Sequence, residues 1–256
     1  MRFVPLGMLD PCGHPDIMKS HFEIGETAVT VISDEEYISV AEQAIFEARE
    51  RILRKISEDP FFMTTYDPYP VSDEDDDLIR RMCEASQLAD VGPMAGVAGA
   101  VAVFAVEKMA EAGAPYAIVE NGGDIAMKTD RDVTVGVFQD DERFRELAFR
   151  IPKRDGIFGV CSSSGNIGPS VSFGKSSIST VFSDNVILAD ACATALGNLI
   201  MDGEANEMSS ALEKIGNIAG VDGCAAISNG LFAMFGDVPE LIKADPKDTK
   251  ASSIIF

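Results

Sequence analysis

Two apolar segments constrain the fold of this 256-residue chain more than any other feature. One runs from 91 to 106 and reads VGPMAGVAGAVAVFAV, and the other runs from 187 to 200 and reads ILADACATALGNLI. Both are rich in Ala and Gly, residues that allow a neighbouring backbone to approach closely. The first is uncharged, but it is shorter than the roughly 20 residues that span a bilayer. We therefore predict that both segments form helices buried in a core.

Strands and helices intermix along the rest of the chain without a regular alternation. Apolar residues recur at helical spacing from Glu35 to about Glu58. Strand–turn–strand patterns occupy 116–127 and 224–235. This mixture predicts an α+β fold, in which a single domain spanning 1–256 contains a mixed or antiparallel sheet flanked by helices.

The acidic run SDEDDD at 72–77 admits two interpretations. A calcium-binding loop needs alternating acids and a glycine at its sixth position, and this run has neither. Ser72 is instead expected to cap a helix whose first turn is acidic, which the helix dipole favours.

The charge and the cysteines limit the partners and the compartment. The formal net charge is −21, which argues against a surface that neutralises nucleic-acid phosphates. The five cysteines are scattered without zinc-like spacing, which favours reduced thiols and a cytoplasmic location. The segment MRFVPLGMLDPCGHPD at 1–16 lacks the apolar core of a secretion signal. We expect neither a nucleic-acid partner nor a membrane partner.

Asp190 and Thr194 place one carboxylate and one hydroxyl in the second apolar segment. A carboxylate is costly in such surroundings unless it has a partner. At a spacing of four residues, the two side chains lie on the same helix face. Their oxygens either hold a hard cation such as Mg²⁺ or satisfy each other through a hydrogen bond.

A nucleophilic site is harder to assemble from this sequence. Cys161 lies at the end of a predicted strand, but the only histidines are His14 and His21, both near the amino terminus. Without an identified base, the Ser-rich turn after Cys161 is expected to form a tight turn or to hold a phosphate, and Cys161 itself to be a buried thiol. The glycine-rich segments match neither a Rossmann fingerprint nor a P-loop.

Four motifs in order carry a resemblance to a known family. They read DVGPMAG at 90–96, GGDI at 122–125, SSG at 163–165 and ADACAT at 189–194. Together they resemble the ApbE superfamily, whose founding members are Mg-dependent FAD:protein FMN transferases. The resemblance covers roughly 88–235 and implies an ApbE-like α+β domain.

The resemblance also implies a site. Asp190 and Thr194 would be the side-chain ligands of Mg²⁺, with the carbonyl of Ala95 as a third ligand. Asp124 would be a general base or a partner of the ligands, and Cys161 is the second catalytic candidate. The groups expected to bind FAD, FMN or another small phosphorylated ligand are Gly92, Gly96, Gly122, Gly123, Ser163, Ser164 and Gly165.

The sequence departs from the transferase pattern in two places. The lysine of the first motif is replaced by Gly96, and GPSVSFGKSS at 168–177 replaces a histidine-containing segment. The chain therefore looks closer to a divergent, largely uncharacterised ApbE-related family of archaea and anaerobic bacteria. That family has been associated with sulfide assimilation into homocysteine.

Two classes of function follow from this resemblance. The first is a Mg²⁺-dependent protein that binds a phosphorylated small molecule, with or without flavin transfer. The second is an accessory protein that binds a sulfur-pathway enzyme, in which the Cys161 thiolate would carry sulfur. Exposed Gly/Ala helix faces would make a homodimer unsurprising.

Overall fold

Two antiparallel sheets and one layer of helices make up the protein. The structure is a computed structural model, and it describes residues 4–5, 17–24, 27–137, 142–144, 146–164, 176–243 and 254–255. The strands are β1 (Val4–Pro5), β2 (Ile17–Ile24), β3 (Thr27–Asp34), β4 (Ala117–Asn121), β5 (Asp124–Thr129), β6 (Val133–Gly136), β7 (Leu147–Ile151), β8 (Arg154–Ser163), β9 (Ile178–Ser183), β10 (Gly223–Ser228), β11 (Leu231–Gly236), β12 (Glu240–Lys243) and β13 (Ile254–Ile255).

The helices lie on one side of the larger sheet. Two short 3-10 turns accompany them, Pro93–Gly96 and Glu142–Phe144. The α-helices are α1 (Glu35–Glu58), α2 (Phe61–Thr64), α3 (Asp77–Ala89), α4 (Val97–Glu111), α5 (Val186–Leu199) and α6 (Ala205–Gly216).

The larger sheet has nine strands in the order β1-β2-β3-β4-β5-β8-β9-β10-β11. The smaller sheet has four strands in the order β12-β7-β6-β13. All strand pairs in the described part of the chain are antiparallel. Antiparallel strands can follow one another through tight turns, as β4 and β5 do here.

Two hydrophobic cores lie on opposite faces of the larger sheet. The first is formed by the helices and by alternate strand residues such as Val119, Ala126 and Cys161. The second lies between the two sheets and contains the intervening residues, such as Ile125 and Val160. Because side chains alternate across a strand, each residue of β5 and β8 is assigned to one core.

The α+β fold class predicted from the sequence is confirmed. The helix at 35–58 and the hairpin at 224–235 form where expected, and the latter turns at Asn229 and Gly230, both with positive φ. The helices cover only one face of the larger sheet, because the four-stranded sheet occupies the other.

The acidic run does not begin a helix at Ser72. Helix α3 begins at Asp77, and its cap is Asp76, whose carboxylate accepts a hydrogen bond from the N–H of Leu78 at 3.0 Å. Arg51 of α1 donates to the same carboxylate at 2.9 Å, so an ion pair with another helix favours capping at Asp76. The expectation for Ser72 was therefore wrong.

Helix α4 is the most apolar long helix of the described chain. Together with the preceding 3-10 turn, Pro93–Glu111 is long and apolar enough to cross a membrane, and 61% of it is buried inside the protein. It packs against α1, α5, β4 and β5. This is the arrangement of a core helix, as the sequence predicted.

Candidate functional site

Four segments of the chain meet where α4 begins. They are the first turn of α4, the turn between β4 and β5, the end of β8 and the middle of α5. Asp124 opens β5 opposite Asn121 of β4, and its carboxylate accepts a hydrogen bond from the Ser162 N–H of β8 at 3.2 Å. The described residues of the four motifs thus lie near one another.

Asp190 reaches from α5 to the amino terminus of α4. Its Oδ2 accepts a hydrogen bond from the Gly99 N–H at 2.7 Å, and the Ala98 N–H also interacts with this carboxylate. The first N–H groups of a helix have no partners within the helix, and an anion there is favoured by the helix dipole. Asp190 therefore caps a helix other than its own.

Thr194 follows Asp190 by one helical turn and is half-buried. No hydrogen bond joins the Asp190 and Thr194 side chains in the described part of the chain, since the Asp190 carboxylate interacts with α4 and with Asp124. Ala95 lies in the 3-10 turn that leads into α4. The mutual pairing of Asp190 and Thr194, which the sequence left open, is not the arrangement observed.

Asp124 and Asp190 form a buried pair of acids. Their relative exposures are 7% and 6%, and their side chains interact directly. Burial raises the pKa of Asp190 to about 7 against the lowering effect of the α4 N–H groups. Burial, and then the charge of Asp190, raise the pKa of Asp124 well above its usual range. Two carboxylates this close need a shared proton or a cation between them.

Cys161 is fully buried beside this pair. Its thiol donates a hydrogen bond to the Val186 carbonyl at 3.5 Å. Burial, followed by the charges of Asp124 and Asp190, raises the pKa of the Cys161 thiol well above its ordinary value. A reactive thiolate needs the opposite surroundings, positive and partly exposed. The geometry places Cys161 in the core as a thiol.

The turn between β4 and β5 opens toward solvent. Gly122 and Gly123 have φ of +65° and +104°, which favours glycine at both positions of this two-residue turn. A side chain added at Gly122 would meet nothing within 4 Å. The turn therefore leaves room for a ligand beside its backbone.

Two serines follow at the end of β8 and the start of the next loop. The Ser163 hydroxyl is buried, with 5% residue exposure, and has no hydrogen-bond partner among the described residues. The Ser164 hydroxyl donates to the Ser177 carbonyl at 2.8 Å. A buried hydroxyl without a partner is unusual in a folded protein, and the role of Ser163 in ligand binding stays a prediction. Gly165 lies outside the described residues.

The glycines of the first motif pack against protein. A Cβ at Gly92 would lie 2.1 Å from the Thr65 carbonyl oxygen. A Cβ at Gly96 would lie 2.9 Å from Ile187 Cγ2 and 3.1 Å from the Ile187 carbonyl oxygen. Close helix packing accounts for both glycines, and their role in ligand binding stays a prediction.

Sequence reasoning missed Asn121. Its side-chain amide donates to the Ala98 carbonyl at 3.2 Å, which ties β4 to the first turn of α4. Gly99 belongs to the small residues expected to allow close approach, but the bond from its N–H to Asp190 was not foreseen. Asn121 directly precedes the GGD turn in the sequence, and this adjacency was the only available signal.

The residues present suit a hard cation better than a transition metal. In the described ranges, no three His, Cys, Asp or Glu side chains are grouped as a metal site. His21 bonds to Thr30 elsewhere on the sheet, at 3.1 Å, and His14 lies outside the described residues. The buried pair of acids and a hydroxyl one turn away supply oxygen ligands, which Mg²⁺ prefers.

Comparisons with known proteins agree with this architecture. Residues 13–226 match the family model described as AbpE bacteria. A UPF0280 protein of Methanocella arvoryzae is 44% identical over 223 residues, which cover 87% of this chain and 90% of that protein. A UPF0280 protein of Archaeoglobus fulgidus is 42% identical over 230 residues, which cover 89% and 95%.

Solved structures show a similar fold at low sequence identity. The flavin transferase ApbE from Vibrio cholerae matches with a TM-score of 0.57 at 12% identity, over 86% of this chain and 97% of that chain. The apo form of the Pseudomonas stutzeri flavinyl transferase ApbE matches with a TM-score of 0.55 at 12% identity, over 91% and 95%. At such identities the likeness shows the ApbE-like fold and no more.

Proposed function

The chain belongs to the family described as AbpE bacteria, and from this premise we propose that it binds a phosphorylated small molecule together with Mg²⁺. The first candidate for the ligand is a flavin nucleotide, FAD or FMN, because the fold is that of flavin transferases.

The buried pair Asp124–Asp190 carries this proposal. In the described part of the chain, no cationic side chain contributes to the pKa of either acid. Two buried like charges without a counter-ion cost free energy. A divalent cation would remove that cost.

Asp190 and Thr194 are the proposed side-chain ligands, with the Ala95 carbonyl as a third. When bound, Mg²⁺ would neutralise phosphate charge on the ligand. Asp124 would hold Asp190 in place through their direct interaction, and Ser162 would orient Asp124 through its N–H.

The phosphate-binding elements are proposed from the same geometry. The N–H groups of Gly122 and Gly123 line an open turn, and the Ser163 hydroxyl has no partner in the part of the chain that the structure describes. N–H groups at such turns suit anionic oxygens. Ser164 and Gly165 continue the same stretch of chain.

Transfer of FMN to a protein is not part of the proposal. The position of the transferase lysine is Gly96, and a Cβ there would collide with Ile187 of α5. Helix α5 therefore occupies the space that a lysine would need. The role of Cys161 as a sulfur carrier has no support in the geometry, since the thiol is buried and its pKa is raised.

Calorimetric titration tests the proposal. The purified protein is titrated with FAD and with FMN, each with and without Mg²⁺. Saturable binding that requires Mg²⁺ is expected. The Asp190→Asn variant should bind the nucleotide only weakly, whether or not Mg²⁺ is present. Asp73→Asn is the matched control, because it removes the same charge at an exposed position. Absence of binding under every condition would refute the flavin proposal.

A further inference from the structure

Strand β11 closes one end of the nine-stranded sheet, and in the described part of the chain it lacks the usual protection of an edge. It reads LFAMFG, with no charged residue and no proline. Its pairing with β10 runs through six consecutive residue pairs without a bulge. Leu231 and Met234 are 43% and 52% exposed. An edge strand of this kind is a template for pairing with another strand.

The other three sheet edges in the described part of the chain are different. Strand β1 has two residues, one of them Pro5, and β13 also has two. Strand β12 carries Glu240 and Lys243, which form ion pairs with β7 and with the segment before it. Short length, proline and charge are devices that block edge pairing. Among the described edge strands, β11 alone has neither short length, nor a proline, nor a charged residue.

Both faces of β11 make packing contacts with the protein, although Leu231 and Met234 stay partly exposed, and its unpaired side is the edge itself. Phe235 packs against Gly216 of α6 on the helix side. Phe232 lies against Phe144 on the other side, with ring centroids 6.4 Å apart. A new partner would therefore add a strand rather than fill a groove.

We propose that β11 is the interface on which a second copy of this chain pairs, antiparallel to the first. A two-fold axis perpendicular to the sheet keeps the helices of both copies on the same side. Because residues opposite each other share a face, an axis at Ala233 places Phe232 of one copy opposite Met234 of the other. The two nine-stranded sheets would then form one continuous sheet.

A second copy fits this edge because the edge is uncharged. Each chain carries a net charge of −21, so two copies repel each other, and an uncharged contact surface is the one that adds no further repulsion. Salt screens this repulsion and should strengthen the dimer. A cationic segment of another protein would show the reverse, since salt would weaken its attraction to this chain. This inference is independent of the proposed function.

The test is the mass of the full chain in solution, measured by sedimentation at micromolar concentrations in low and high salt. A dimer that strengthens with salt is expected. The variant Leu231→Lys/Met234→Lys should be monomeric with an unchanged circular dichroism spectrum. The matched control is Leu53→Lys/Met63→Lys, which makes the same substitutions at exposed positions on α1 and α2 and should remain dimeric.

Hydrogen exchange gives a second readout that does not depend on variants. Backbone amides at 231–236 should become more protected as the concentration of protein rises. A wild-type protein that stays monomeric at all concentrations and salts would overturn the proposal. A dimer that survives the β11 substitutions unchanged would overturn it as well, and would place the interface elsewhere.

Discussion

Asp190 has two roles that substitution can separate. Its carboxylate caps α4 through the Gly99 N–H, and its charge is proposed to bind Mg²⁺. Asp190→Asn keeps an acceptor oxygen but loses the charge, so Mg²⁺ affinity should fall at least tenfold while stability of the metal-free protein is retained. Asp190→Ala loses both, and should cost about 1–2 kcal/mol of unfolding free energy. Calorimetry and urea unfolding measure the two effects.

The result that would contradict this separation is an Asn variant with the Mg²⁺ affinity of the wild type. Asp73→Asn again serves as the charge-matched control at an exposed site.

The four cysteine thiols that the structure describes should be unreactive in the native state. Burial raises the pKa of Cys83 to about 11 and that of Cys192 and Cys224 to about 12, and it raises that of Cys161 as well. Only a thiolate reacts rapidly with a disulfide reagent. At mildly alkaline pH these four cysteines should be labelled only after unfolding, as mass spectrometry of digested protein can show. Rapid native labelling of Cys161 would revive its proposed sulfur-carrying role.

At the residue scale, the sequence motifs predicted that Asp124 and Asp190 belong to one site. The motifs could not predict the hydrogen-bond partners of these residues. The hydrogen bond between Asp190 and Gly99 joins residues 91 positions apart. The capping of α3 shows the same limit, because Ser72 and Asp76 are both suitable caps by type. The ion pair from Arg51 that favours Asp76 comes from another helix.

At the scale of elements, the small residues of α4 set its distance from α5. A Cβ at Gly99 would lie 2.9 Å from both the Asp190 Cβ and the Val186 carbonyl oxygen. Helix propensity favours Gly99→Ala by about 1 kcal/mol, whereas the collision should cost about 1–3 kcal/mol. We expect net destabilisation in urea unfolding. Gly156→Ala should be neutral or stabilising, because a Cβ there meets nothing within 4 Å. A stabilised Gly99→Ala variant would show that the helices can separate.

Elements with local signals were the ones that sequence could predict. The turn at Gly122 and Gly123 fixes the β4–β5 hairpin within twelve residues, and apolar periodicity fixes α1. The four-stranded sheet was not foreseen. Its pairing of Arg150 with Glu240 joins segments 90 residues apart. No short turn connects these two strands, so no local sequence signal predicts that they pair. Neither β7 nor β12 has a distinctive pattern alone.

At the scale of the whole molecule, the three layers bury an acidic pair inside a strongly acidic protein. The helices shield Asp124 and Asp190 on one side, and the larger sheet shields them on the other. Every ligand that binds the folded state alone stabilises it. If Mg²⁺ binds there, the stability of the whole fold is linked to the occupancy of the site.

This linkage predicts a pH dependence with a definite sign. The pKa of Asp190 is raised from 3.8 to about 7 in the folded protein, and that of Asp124 is raised too. The folded state therefore holds protons that the unfolded state has released. Between these two values, the metal-free protein should lose stability as pH rises, by on the order of a few kcal/mol.

Urea unfolding at about pH 5 and about pH 8 measures this loss in the presence of chelator, with added salt to screen the net charge. Asp190→Asn should flatten the slope, because it removes one titrating group while general repulsion between surface acids remains. Mg²⁺ should restore the stability of the wild type at the higher pH and not that of the variant. A wild type that is more stable at the higher pH without Mg²⁺ would mean that the two acids are already paired with a cation from the chain, and the metal proposal would fall with that result.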